Sequence, residues 1–101
     1  MAPTGDISTT PEHEFICTPS PLPMPLLVKN QSMNTIEVTI TVPYNLSMVS
    51  QNPFTLYRHD QRISYIMCMI DSVLPSEIVI EWKNIDGDGT IRRKTLEVVY
   101  I

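Results

Sequence analysis

The sequence predicts an all-β fold, a seven-stranded immunoglobulin-like β-sandwich built from two antiparallel sheets. Three observations carry this. Ile36, Val38, Ile40 and Val42 alternate strictly with Thr35, Glu37, Thr39 and Thr41, the period of a strand with one buried and one wet face. The stretch from Glu77 to Ile101 reads as a β-hairpin, two alternating arms around a polar Asp-Gly turn. The other apolar runs are short, are separated by proline, glycine or polar turns, and show no apolar stripe at helical spacing. Seven short strands in this length is the count of such a sandwich.

The totals bound the function. A chain of 101 residues makes one domain. Apolar content of 43% and charged content of 18% are globular values. A net charge of −4 argues against nucleic-acid binding, which needs a basic footprint. The run Ile66-Met67-Cys68-Met69-Ile70 is too short to cross a bilayer. The start, MAPTGDISTTPEHE, has neither the basic nor the apolar region of a signal peptide.

Taken in order, residues 1–12 are polar and read as a flexible lead-in, with a single β-sandwich domain over 13–101. Glu14 to Cys17 is the first strand. Thr18 to Pro25 holds four prolines in eight residues and reads as a stiff crossing rather than an SH3 or WW ligand. Leu26 to Lys29 is a strand ended by the turn Asn30-Gln31-Ser32, and the regular strand follows and stops at Pro43. Residues 43–52 form a connection without a period. Phe54 to Tyr57 is a short strand, Arg58 to Gln61 a turn, and Arg62 to Ile70 a strand with Ile63, Tyr65, Met67 and Met69 on one face. Asp71 to Ser76 is a loop. In the hairpin, Ile78, Ile80 and Trp82 share a face, as do Leu96, Val98 and Tyr100. Trp82 is expected in the core.

Few residues suggest chemistry. Residues 84–91, NIDGDGTI, match the first half of a calcium loop, with Asp86, Asp88 and Gly89 in place. The second half fails: Thr95 stands where a bidentate glutamate is needed, and Arg92, Arg93 and Lys94 fill the space before it. The turn reading is therefore preferred to a calcium-binding module. His59-Asp60 lacks further partners at ligand or triad spacing, and no phosphate loop or CxxC is present. No enzyme, metal or cofactor is expected. Cys17 and Cys68 suit either two reduced thiols or one extracellular-type bond, and their sparseness favours reduced thiols. The sequons at Asn30 and Asn45 are weak signals of secretion.

The runs SMNTIEVTITVP, FTLYRHDQRISYIM and IVIEWKNIDGDGTIRRKTLEVVY together resemble intracellular immunoglobulin-like sandwiches. These are the appendages of accessory subunits of the TRAPP tethering complex and the MSP-like and ASH modules. The resemblance covers roughly residues 14–101 and implies a non-catalytic protein–protein interaction or scaffolding module of a larger assembly, such as a tethering complex of membrane trafficking. It implies other protein subunits as partners, no nucleic acid, membrane contact only through those partners, and a cytoplasmic location peripheral to Golgi or endomembranes. The residues expected to bind a partner are Thr35, Glu37, Thr39 and Thr41 on the outer face of the regular strand, with the basic run Arg92, Arg93 and Lys94. The alternative class is an extracellular or viral-surface immunoglobulin-like domain, which would carry an intact Cys17–Cys68 bond.

Overall fold

The strict alternation of residues 36–41 becomes a central strand whose even positions face the interior and whose odd positions face out. A computed structural model describes residues 6–18, 22–68 and 76–100. Within them lie nine strands: β1 (Ile7–Thr10), β2 (Glu14–Cys17), β3 (Met24–Asn30), β4 (Ile36–Thr41), β5 (Leu46–Met48), β6 (Phe54–Leu56), β7 (Gln61–Cys68), β8 (Ser76–Asn84) and β9 (Ile91–Tyr100). No helix occurs among the described residues.

The first sheet has the order β1-β3-β7-β5, and the second has the order β2-β9-β8-β4-β6. Three features differ from the expectation. The strand count among the described residues is nine, not seven. Residues 7–10, read as lead-in, form β1 antiparallel to β3, because β-branched Ile7 and Thr9 suit a sheet margin although they carry no core-like run. The second sheet is mixed, since β2 runs parallel to β9. The added β5 has three residues at a sheet edge, too few to display a period.

The chain changes sheets between β1 and β2, through the cis Thr10–Pro11 bond. One N-terminal segment thus covers part of β3 in the first sheet and part of β9 in the second. The four residues of β2 lie beside Glu97–Tyr100 only.

Between the sheets, Phe15, Leu26, Ile36, Ile40, Ile78 and Leu96 are buried almost completely. Trp82 joins them at 5% exposure, as expected. In β7 the inward face is Ser64, Ile66 and Cys68, whereas Ile63 and Tyr65 are 47% and 41% exposed. The more apolar-looking side of that strand is therefore the outer one. The proline-rich residues 19–21, the last two of the expected 62–70 strand and the 71–75 loop lie outside the described residues.

Cys17 and Cys68 are joined by a disulfide with Cα atoms 5.7 Å apart. This overturns the expectation of reduced thiols. The ends of β2 and β7 meet across the core, a proximity between sheets that no local pattern encodes.

Three asparagines make bonds that no sequence pattern announces. Asn30 closes β3 with no exposed surface, and its Nδ2 donates to the carbonyls of Asn34 (2.7 Å), Tyr57 (3.1 Å) and Leu56 (3.2 Å). Its Oδ1 accepts from Ser32 N (2.9 Å) and Ser32 Oγ (2.7 Å). Asn45 is buried and donates to the Tyr100 hydroxyl. Both sequon amides are thus enclosed in the fold, where a glycan on either nitrogen would displace these bonds. Asn52 accepts from Ile40 N (2.9 Å) and donates to Ile40 O (2.6 Å), so its amide extends the β4 ladder beyond the end of β6.

Candidate protein-interaction edge

The expected binding residues divide by strand parity. On β4, Glu37, Thr39 and Thr41 point away from the core, and Thr35 just before it accepts a bond from Ile85 N (3.1 Å). On β9, Leu96 and Val98 point inward, so Arg92 and Lys94 share the inward side and Arg93 the outward side. The basic run is therefore not one patch.

Arg93 lies in register with Glu81, which lies in register with Thr39. The Arg93 Nη2–Glu81 Oε2 distance is 3.4 Å. In the neighbouring row Lys83 Nζ stands 4.0 Å from Glu37 Oε1. Both pairs are at least partly exposed, and solvent leaves such pairs a small contribution to stability. Arg92 Nη1 reaches Asp6 Oδ1 at 2.5 Å, linking the open end of β9 to the residue before β1. Trp82 and Ile80 are the register partners of Arg92 and Lys94. Arg92 is exposed and Lys94 half-buried at this margin.

The main chain of β9 gives the site its character. Glu97 N donates to His13 O (3.1 Å), so the Glu97 backbone faces β2. Backbone groups alternate sides along a strand, which places the N–H and C=O of Thr95, Arg93 and Ile91 on that same side. β2 begins only at the level of Glu97. No strand lies beside Thr95, Arg93 and Ile91 on that side among the described residues. Half of β9 is thus an open edge. Nothing local in the sequence signals it, because the register of β2 on β9 is tertiary.

The calcium-like string is the turn between β8 and β9. Asp88 Oδ1 accepts from Thr90 N (2.9 Å), and hydrogen bonding by the Thr90 side chain, then its backbone, holds the Asp88 carboxyl below the usual aspartate range. That lowered value means the bond contributes above the ordinary aspartate range and fades as pH falls through the folded-state pKa. Gly89 has φ of 85°, which glycine adopts freely. A Cβ on Gly87 would lie 2.5 Å from Asn84 Cβ. Gly87→Ala is expected to cost about 1–3 kcal/mol by this overlap, read as a lower midpoint in urea unfolding; an unchanged midpoint would show that the turn yields freely. Among the described residues no group of three or more His, Cys, Asp or Glu could hold a metal ion, and calcium is expected to leave the melting curve where it is. His59, at φ of 59°, lies in the tight turn between β6 and β7.

No family model and no curated protein matches the chain. Solved structures do match. WR4, a C. elegans MSP family member, aligns with a TM-score of 0.76 at 7% identity, over 94% of this chain and 97% of that one. The fold is that of the MSP and PapD-like sandwiches. PapD-like domain 7 of human CEP192, an ASH / PapD-like domain, gives 0.68 at 8% identity over 99% of this chain and 87% of that one. The E. coli chaperone DraB gives 0.68 at 13% identity; this chain is covered to 92% and spans about half of DraB, 53%. At such identities the likeness is one of fold. It agrees with the MSP-like and ASH side of the sequence resemblance.

Proposed function

We propose that this chain is a non-catalytic protein–protein interaction module of a larger assembly and that it captures an extended partner segment by strand addition at β9. The observation that carries this reading is the open edge at Ile91, Arg93 and Thr95, whose backbone groups lack a neighbouring strand among the described residues while β2 covers the rest of β9. Main-chain hydrogen bonds there supply affinity, and the flanking side chains supply selectivity. The outer face of Glu37, Thr39, Thr41, Glu81 and Arg93 lies beside that edge and forms the adjoining contact surface. The likeness to MSP and PapD-like folds supports the reading at the level of architecture.

Proline substitution tests the edge directly, because proline removes one N–H. The Arg93 N–H points away from β8, so Arg93→Pro is expected to stay within about 1 kcal/mol of the parent while losing the partner. The Lys94 N–H points toward β8, so Lys94→Pro is expected to cost on the order of 2–3 kcal/mol. Affinity capture from the source cells, identification of retained proteins and direct titration of each against both forms provide the readout. Equal affinity for parent and Arg93→Pro would sink the edge reading.

The narrower expectation, a cytoplasmic subunit of a tethering complex near Golgi or endomembranes, is one assembly such a module serves. The Cys17–Cys68 bond favours a second reading, an extracellular or viral-surface immunoglobulin-like domain, because disulfides persist in oxidising compartments. A thiol count on protein alkylated at the moment of isolation separates them: free thiols support the cytoplasmic subunit, blocked thiols the oxidising compartment. Among the described residues no helix is long and apolar enough to cross a membrane.

A further inference from the structure

We infer that the segment captured at the open half of β9 is an acidic strand, with carboxylates at alternate positions facing Arg92 and Lys94. This rests on the edge reading above and adds the chemistry of the partner.

A strand laid beside Ile91–Thr95 continues the second sheet and acquires an inward and an outward side. On most sandwich margins the inward side is apolar. Here the inward-facing residues of β9 at this level are Arg92 and Lys94, two cations in sequence with the core residues Leu96 and Val98. Every second side chain of an added strand lies beside them. Valine there would bury their charges beside an apolar wall, and lysine would repel them; aspartate or glutamate pairs with them.

A further observation points the same way. Asp6 Oδ1 already sits 2.5 Å from Arg92 Nη1, so the fold itself places a carboxylate at this cation. The outward side is different in kind. Ile91 is 60% exposed and Arg93 is engaged by Glu81, so the outward positions of the partner are apolar or neutral.

A second copy of the chain does not fit. Antiparallel self-pairing centred on Arg93 sets Arg93 against Arg93 and Arg92 against Lys94, and like charges directly opposite are destabilising. The cations thus bar the domain from its own edge while admitting a strand of opposite charge.

The test uses end-blocked, fluorescently labelled octapeptides of alternating valine and glutamate, with lysine or serine replacing glutamate as controls. Binding is read by anisotropy at low and at physiological ionic strength. The Val-Glu peptide is expected to bind about tenfold or more tighter than Val-Ser, with Val-Lys weakest, and to weaken with salt. The double variant Arg92→Glu, Lys94→Glu is expected to reverse the order. Asp6→Asn is expected to tighten Val-Glu binding, because Arg92 loses a competing carboxylate. Arg93→Pro is expected to abolish binding of every peptide with the melting curve retained. If Arg93→Pro abolishes binding but the charge reversal leaves the order unchanged, or Asp6→Asn fails to tighten Val-Glu, acid selectivity is overturned and the edge reading stands. If Val-Glu binding survives Arg93→Pro, or no peptide binds, both are overturned.

Discussion

Asn30→Ala is expected to lower stability by about 3–4 kcal/mol. The Asn30 amide satisfies the carbonyls of Asn34, Leu56 and Tyr57, and its oxygen satisfies the amide and hydroxyl of Ser32. Alanine removes this partner from all of these groups. The Leu56 carbonyl and the Ser32 groups are bonded in buried surroundings and the Asn34 and Tyr57 carbonyls in part-buried ones, and each orphaned buried group costs roughly 1–3 kcal/mol before local relaxation. The loss is more than local, since the amide ties the end of β3 to the loop before β4 and to the start of the β6–β7 turn. The Asn30 main chain adds a bond from its N–H to Asp60 O (2.9 Å), which alanine keeps. For a domain of this size the loss lowers Tm by roughly 12–30 °C. Calorimetry reads it, and a drop of only a few degrees would mean that solvent reaches these carbonyls. Asn30→Asp is a sharper form of the same experiment: it keeps the acceptor and, when ionised, loses the donor and buries a charge. Its destabilisation is expected to be at least as large at neutral pH.

Removing the Cys17–Cys68 bond is expected to cost about 4 kcal/mol, from the chain entropy regained by an unfolded loop spanning 51 residues. That is a large share of the roughly 5–15 kcal/mol that holds a typical domain folded. Cys68→Ala, or reduction of the parent, is expected to lower Tm by roughly 15–30 °C. The damage is expected first at β2, which the bond joins to β7 in the opposite sheet. Amide exchange checks the location: Phe15 and Val99 should lose protection before Val38 and Ile80 of the central strands. Uniform loss of protection would show that the bond supports the whole sandwich equally. Because β2 bounds the open edge of β9, reduction should also lengthen that edge, which ties the redox state to the binding surface.

Local pattern determines much of this protein. The alternation in residues 36–41 sets β4 and its outer face of Glu37, Thr39 and Thr41, because a period of two permits only one burial choice per residue. The Asp-Gly pairs set the β8–β9 turn, and Ile78, Ile80, Trp82, Leu96 and Val98 set its buried side. These suffice for the sandwich class. β1 and β5 are not legible in the sequence, because short margin strands have no room for a period and take their identity from a neighbour's backbone. The inward face of β7 is obscured by the exposed Ile63 and Tyr65, since both faces of that strand carry apolar residues and only packing selects between them.

What tertiary structure alone decides is which elements end beside one another. Arg92, Arg93 and Lys94 are a run in the sequence; strand parity sends Arg93 out to Glu81 and Arg92 toward Asp6. The two cysteines read as sparse, reduced thiols; the meeting of the ends of β2 and β7 makes them a bond. Above all, β9 has an open edge among the described residues because β2 pairs only with Glu97–Tyr100. A hydrogen-bond register between residues far apart in the chain leaves no trace in the local order of apolar and polar side chains, and that register is what leaves the backbone of Ile91, Arg93 and Thr95 without a neighbouring strand among the described residues.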